Sequence, residues 1–233
     1  MKKSDLLLVL VPYRDRPAHL RAFLDRVWSP LRREHAASEL VVAEQPAGDL
    51  FNRGLLLNAA YLWCTRESGL RPARVLFHDV DLVPSADLRR AYTACRAPVV
   101  HFGDRFARYS GPHYFGGVTG FEPRIFEDVG GFPNGFWGWG GEDDALLRRT
   151  RARRHRVCWP RFGEYEDLER LSLRGKLHQL RDAGAKCMTK RELLALEPNA
   201  GDTLEHTPAC PVERGLRPEE HRVLFQFSKM SSG

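Results

Sequence analysis

Leu6 to Val11 is an unbroken apolar run that stops abruptly at Pro12, Tyr13, Arg14, Asp15 and Arg16. The run is too short to cross a bilayer, and no small-residue cleavage site follows it, so it reads as a first buried strand. Helical periodicity takes over across Ala18–Val27, a second strand reads from Glu39 to Ala43, and another helix reads from Leu55 to Thr65. Strand and helix in alternation predict an α/β chain with a mainly parallel central sheet and helices on both faces. With 233 residues and 42% hydrophobic content, the chain is large enough to bury a sizeable core. A last strand is expected over Arg222–Phe227. The mixture of Pro, Gly and acids over Glu192–Pro211 reads as loops.

Two segments carry chemistry. Val75, Leu76 and Phe77 read as a short buried strand ending in His78, Asp79, Val80 and Asp81. Side chains alternate along a strand, so Asp79 and Asp81 project to one side and Val80 to the other. Acids at the carboxyl edge of an open α/β sheet suit a metal-bound phosphate, although an aspartate-capped turn has the same spelling. Phe136–Asp144 reads FWGWGGEDD, which puts two tryptophans, three glycines and three consecutive carboxylates in nine residues. A tryptophan face packs on the C–H face of a sugar while carboxylates accept from its hydroxyls. The same acids also suit the first turn of a helix continuing into ALLRRTRARR.

Five ordered blocks, VPYRDRPAHL (11–20), FNRGLLLN (51–58), FHDVDLVP (77–84), YFGGVTG (114–120) and GFPNGFWGWGGEDD (131–144), together resemble the β-1,4-galactosyltransferase family. The resemblance covers most of residues 8–150 and weakens beyond. It implies a GT-A fold and inverting transfer of galactose from UDP-galactose to a sugar hydroxyl in a β-1,4 linkage, usually with manganese (Mn2+). It implies one catalytic domain over 1–233, with a nucleotide-sugar and active-site core at 1–150 and a divergent, acceptor-side part at 151–233. Carried onto matching positions, Pro12, Tyr13, Arg14 and Arg16 hold the nucleotide with Phe51 and Arg53 nearby. Asp79 and Val80 contact the donor, and Asp81 is a metal ligand. Tyr114 favours galactose over its N-acetyl analogue, and Gly117 lies against the donor. Asp143 is the catalytic base, Glu142 and Trp139 contact the donor, and Trp139, Gly140, Gly141 and Asp144 form the acceptor subsite. An aspartate near its reference pKa of about 3.9 is ionised at neutral pH and can take the proton of an attacking hydroxyl. Glycines flanking Trp139 predict a lid over residues 134–145 that closes on the donor.

The family pattern fails past Pro160. Where a metal-binding histidine belongs, this chain has Ser172 with Arg174 close behind. Glu164, Glu166, Asp167 and Glu169 offer oxygen ligands, His178 fits only with a shifted alignment, and Arg174 is an alternative cation for the diphosphate. A UDP-GalNAc or UDP-glucose transferase and a degenerate sugar-binding module remain the other readings.

The net charge of +6 raises nucleic acid as a partner, but the arginines are scattered and Arg148–Arg156 reads as a solvated helix face, so none is expected. The expected partners are a UDP-sugar donor and a glycan or glycoconjugate acceptor. The five cysteines are widely spaced and odd in number, which suggests free thiols rather than a disulfide framework. With no transmembrane segment read, the expected location is the cytoplasm, as for a bacterial or viral enzyme. The alternative is a Golgi-lumenal domain without its anchor.

Overall fold

A computed structural model describes residues 5–106, 114–182, 202–208, 212–217 and 220–225. Strand β1 (Leu7–Tyr13) is buried along its whole length. Its alternate residues feed two separate cores: Leu8 and Leu10 face one, and Leu7, Val9 and Val11 face the other. That double burial is why the run shows no polar alternation in the sequence. Helix α1 (Pro17–Phe23) starts with proline in its first turn, and a π-helical turn over Leu24–Trp28 leads into α2 (Ser29–Glu34). Strand β2 (Ser38–Glu44) lies parallel to β1, pairing Leu7 with Ser38 through Tyr13 with Glu44.

Helix α3 (Arg53–Leu62) is capped by Asn52, whose side chain accepts from the Leu55 amide at 2.9 Å. Strand β3 (Arg74–His78) is fully buried and runs parallel to β1 on its other side. Strand β4 (Leu82–Pro84), α4 (Ala86–Ala94), β5 (Val99–His101), β6 (Val118–Phe121) and α5 (Pro123–Asp128) follow, then α6 (Glu142–Ala152), β7 (Val157–Cys158) and β8 (Tyr165–Asp167). Helix α7 (Leu173–Asp182) precedes the strand pair β9 (Val212–Arg217) and β10 (Glu220–Phe225). The expected last strand is thus β10, and residues 226–227 of that expectation lie outside the described residues, as does most of the expected 192–211 loop.

The main sheet has the order β7-β5-β6-β3-β1-β2-β10-β9, and β4 pairs with β8 in a small second sheet. Four of the seven neighbour pairs of the main sheet are parallel; β6 runs antiparallel to both β3 and β5, and β9 to β10. Antiparallel β6 sends the chain from its own C-terminal end into α5, leaving the carboxyl ends of β1 and β3 open on one edge. On one face, Phe77 packs against Phe121, Phe126 and Phe132, with ring centroids 6.2, 4.6 and 5.1 Å apart. On the other, Phe23 meets His78 edge-on at 5.1 Å.

Candidate active site

The open edge carries a cleft of about 440 Å³, lined by Pro12, Arg14 and Arg16 after β1, by Asp79, Val80 and Asp81 after β3, and by Glu142, Asp143 and Asp144 at the start of α6. Phe51 and Arg53 from the head of α3 complete its floor, and Tyr114, Gly117, Trp139, Gly140 and Gly141 also line it. Of the donor, acceptor and catalytic residues picked from sequence, Tyr13 alone does not line the cleft. It is buried beneath it, where its hydroxyl accepts from the Arg16 amide at 3.2 Å and fixes the turn after β1.

Arg53 joins the two acidic segments. Its Nε donates to Asp79 Oδ1 at 2.8 Å, its Nη1 donates to Asp143 Oδ1 at 2.8 Å, and Glu142 Oε1 lies 3.7 Å from the same nitrogen. Burial opposes the guanidinium charge, but Asp143, Asp79 and Glu142 outweigh it and push its pKa up. The carboxylates respond in turn. Burial raises Asp143 against the lowering pull of Arg53, with Asp144 adding to the rise. Asp79 is raised by burial too, again opposed by Arg53. Glu142 is pushed up to about 8, first by burial and then by Asp143, with Arg53 opposing the rise. The expectation of an unperturbed Asp143 therefore changes: the site withdraws it partly from water.

The acidic run is the first turn of α6, whose N-cap Gly141 has φ 99°. Gly138 and Gly140 are also left-handed, at φ 105° and 98°. Three such residues bend the chain so that Trp139 and the acids reach one cleft. The loop is anchored ahead of Gly140 and Gly141. The Gly138 amide donates to Phe51 O at 2.8 Å, and Asp202 Oδ1 accepts from the amides of Asn134 and Gly135. Asn58, buried in α3, donates to Phe132 O at 2.8 Å and accepts from the Phe132 amide at 3.0 Å. That paired bond makes the α3 helix a post for the loop; the block FNRGLLLN contains Asn58, but a lone amide in an apolar helix gives no sign of its partner.

Opposite, the Asp79 amide donates to Gly117 O at 2.9 Å, which ties the end of β3 to the glycine pair before β6. A side chain at Gly116 would meet Asp143 Oδ2 at 2.6 Å, and one at Gly117 would meet the Tyr114 hydroxyl at 2.8 Å. His78 points into the core. Its Nδ1 donates to Asp79 O, its Nε2 accepts from Tyr92, and Tyr92 accepts from Tyr165 at 2.7 Å. Burial pulls its pKa down to about 4, so it is neutral.

Beyond Asp81 the geometry bears on the metal. Asp81 Oδ2 accepts from Arg16 Nη1 at 3.1 Å, while Glu169 Oε1 accepts from Arg16 Nη2 at 2.7 Å and from Lys176 Nζ at 2.6 Å. Burial raises Asp81 to about 6, with Asp79 adding to the rise and Arg16 opposing it. Glu169 and Lys176 line the cleft as well. The remaining candidates lie elsewhere: Glu166 pairs with Arg26, Asp167 accepts from the Glu169 amide at 3.0 Å, His178 pairs with Asp182 at 2.7 Å, and Glu164 and Arg174 are exposed. Among the described residues no three His, Cys, Asp or Glu side chains stand together to hold a metal ion. The donor set around Asp81 does not fit a resident divalent ion, because its oxygens already face two cations and the usual imidazole is missing.

In the basic run, Arg149 departs from the expected solvated face. It is buried and donates to Gly131 O at 3.0 Å, closing the turn before the loop. Cys64, Cys95 and Cys158 are free thiols. No helix of the described residues is long and apolar enough to cross a membrane.

A family model described as the N-terminal region of glycosyl transferase group 7 matches residues 2–96, and one described as the N-terminal domain of galactosyltransferase matches residues 97–172. Human β-1,4-galactosyltransferase 4 is 39% identical over 173 residues, covering 70% of this chain and 48% of that protein. Mouse β-1,4-galactosyltransferase 5 is 34% identical, covering 69% and 42%. The chain thus spans about half the length of the curated relatives it matches. Among solved structures, a Drosophila β-1,4-galactosyltransferase 7 variant in complex with manganese, UDP-Gal and xylobiose superposes with TM-score 0.73 at 22% identity, covering 94% of this chain and 92% of that one. Glucosyl-3-phosphoglycerate synthase from Mycobacterium tuberculosis, solved with Mn2+, UDP and phosphoglyceric acid, gives 0.51 at 14% identity, covering 78% and 80%. The fold is that of the GT-A glycosyltransferases.

Proposed function

We propose that this chain, which belongs to the β-1,4-galactosyltransferase family of glycosyltransferase group 7, transfers galactose from UDP-galactose to a sugar hydroxyl with inversion, forming a β-1,4 linkage. The observation that carries the reading is Arg53, which brings Asp79 from one acidic segment and Asp143 from the other into one cleft beside Arg14 and Arg16. A perturbed, half-buried carboxylate held in the cleft within reach of a bound hydroxyl is what a general base needs and is more than sugar binding alone requires.

The nucleotide lies at the Pro12, Arg14 and Phe51 end. There the Arg14 guanidinium sits 5.0 Å from the centre of the Phe51 ring, so planar and cationic surfaces are both at hand for a base and its phosphates. Asp79 and Glu142 hold hydroxyls of the donor sugar. Trp139, Gly140, Gly141 and Asp144 receive the acceptor. The acceptor oxygen attacks C1 of galactose, its proton passes to Asp143, and the C1–O bond to UDP breaks with its electron pair going to the β-phosphate. One base suffices because UDP leaves as an anion and needs no proton. Closure of the tryptophan loop excludes the water that would otherwise hydrolyse the donor.

UDP release with a panel of UDP-sugars and sugar acceptors tests this. Turnover is expected on UDP-galactose above UDP-GalNAc and UDP-glucose, falling about a thousandfold in Asp143→Asn. A folded protein that binds sugars and releases no UDP from any donor would favour the binding module instead.

A further inference from the structure

Arg16, Asp81, Glu169 and Lys176 form a compact group at the end of the cleft where the family resemblance implies a metal. We propose that Arg16 and Lys176 take the place of the divalent cation, binding the donor's diphosphate and stabilising the departing UDP, so that transfer proceeds without metal. This rests on the transferase reading of the same cleft.

Charge is the first reason. Asp81 and Glu169 supply two negative charges and Arg16 and Lys176 two positive ones, so the group is neutral as it stands. A divalent ion would add two positive charges beside a guanidinium and an ammonium, whereas a diphosphate brings the opposite sign to both. Burial is the second. The side chains of Lys176 and Glu169 are only 7% and 8% exposed, and a buried ion pair contributes little net stability once its desolvation is counted. Its place on the cleft wall makes sense of that cost. Geometry is the third: Glu169 Oε1 accepts from both cations at once and holds them as a pair. An ammonium has three donor hydrogens and a guanidinium five, so each has hydrogens beyond those Asp81 and Glu169 take. The choice of residue agrees with this, since Lys176 is the only lysine between Ser4 and Ala185 in a chain that otherwise uses arginine there. Arg174, the cation suggested by sequence position, is exposed on the same helix.

As the acceptor oxygen bonds to C1 and its proton moves to Asp143, the electron pair of the breaking C1–O bond goes to the β-phosphate oxygen. Arg16 and Lys176 meet that charge with hydrogen bonds, and UDP leaves with no metal and no added proton.

The test is calorimetric binding of UDP, alongside galactose transfer, to the full chain with EDTA and with manganese. UDP affinity and transfer are expected to be the same in both. In EDTA, Lys176→Gln should weaken UDP binding by about tenfold or more, and Lys176→Arg should recover most of it. Wild-type binding or transfer that collapses in EDTA and returns with manganese would overturn the proposal and leave the transferase reading intact. So would a folded Lys176→Gln that binds UDP as the wild type does. Failure of UDP to bind under either condition would remove both readings together. The wild-type arms decide even if a variant does not fold.

Discussion

Arg53 faces two demands at once, keeping Asp79 and Asp143 within reach of one donor sugar and keeping their charges tolerable where water is partly excluded. Burial raises Asp143 and Arg53 holds it down. A base acts only when deprotonated, so a raised pKa moves the acid limb of activity upward. The limb of kcat/KM, which reports the free enzyme, is expected above the ordinary aspartate value of about 3.9, and Arg53→Gln is expected to move it higher still while lowering the plateau. A pH profile with its acid limb below about 4 would contradict this placement of the base. Asp79, Asp81 and Asp143 stood out in the sequence because carboxylates cluster there beside aromatics and glycines. Lys176 did not, since a lysine seven residues after a glutamate has no recognisable spacing and Arg16, which meets the same Glu169 carboxylate, comes from the far end of the chain.

Elements, rather than single residues, set how the acids meet. Strand β3 delivers Asp79 and Asp81, α6 delivers its first turn, and the glycine pair before β6 passes between them. An alanine at position 116 would place Cβ 2.6 Å from Asp143 Oδ2 and 2.8 Å from the Tyr114 ring. The carboxylate can swing aside, so Gly116→Ala is expected to fold with an unchanged circular dichroism spectrum and to lose about a hundredfold in kcat. We propose that closure over the donor is confined to part of the 134–145 lid expected from sequence: Asn134, Gly135 and Phe136 are tied down or buried and α6 begins at Glu142, so movement falls to 137–141, where the Gly138 amide must let go of Phe51 O. Hydrogen exchange on adding UDP-galactose is expected to gain protection over 137–141 alone; a gain spread evenly through α6 would show that the helix itself reorganises. The glycine spacing marked the loop in the sequence, but its anchors at Phe51, Asn58 and Asp202 are tertiary and had no local signature.

The whole molecule is a sheet whose two faces fill with different cores while one edge stays open for chemistry. The alternation of strand and helix was plain in β1, α1, β2 and α3, where apolar runs and periodic helices follow one another. The antiparallel turn of β6 and the docking of β10 beside β2 were not, because strand order depends on pairings between distant segments. Phe77 joins β3 to β6, α5 and the Phe132 turn. Phe77→Ala is expected to cost about 3–5 kcal/mol in urea unfolding, and a loss under about 1 kcal/mol would show that the face is loosely packed. All of this architecture serves one proposed reaction, which leaves its signature in the product. The most direct test is the nuclear magnetic resonance structure of the sugar formed from UDP-galactose and an accepted glycan. A galactose joined β to the acceptor's 4-hydroxyl is the predicted result. An α-linked product would contradict single displacement by an acceptor hydroxyl deprotonated at Asp143.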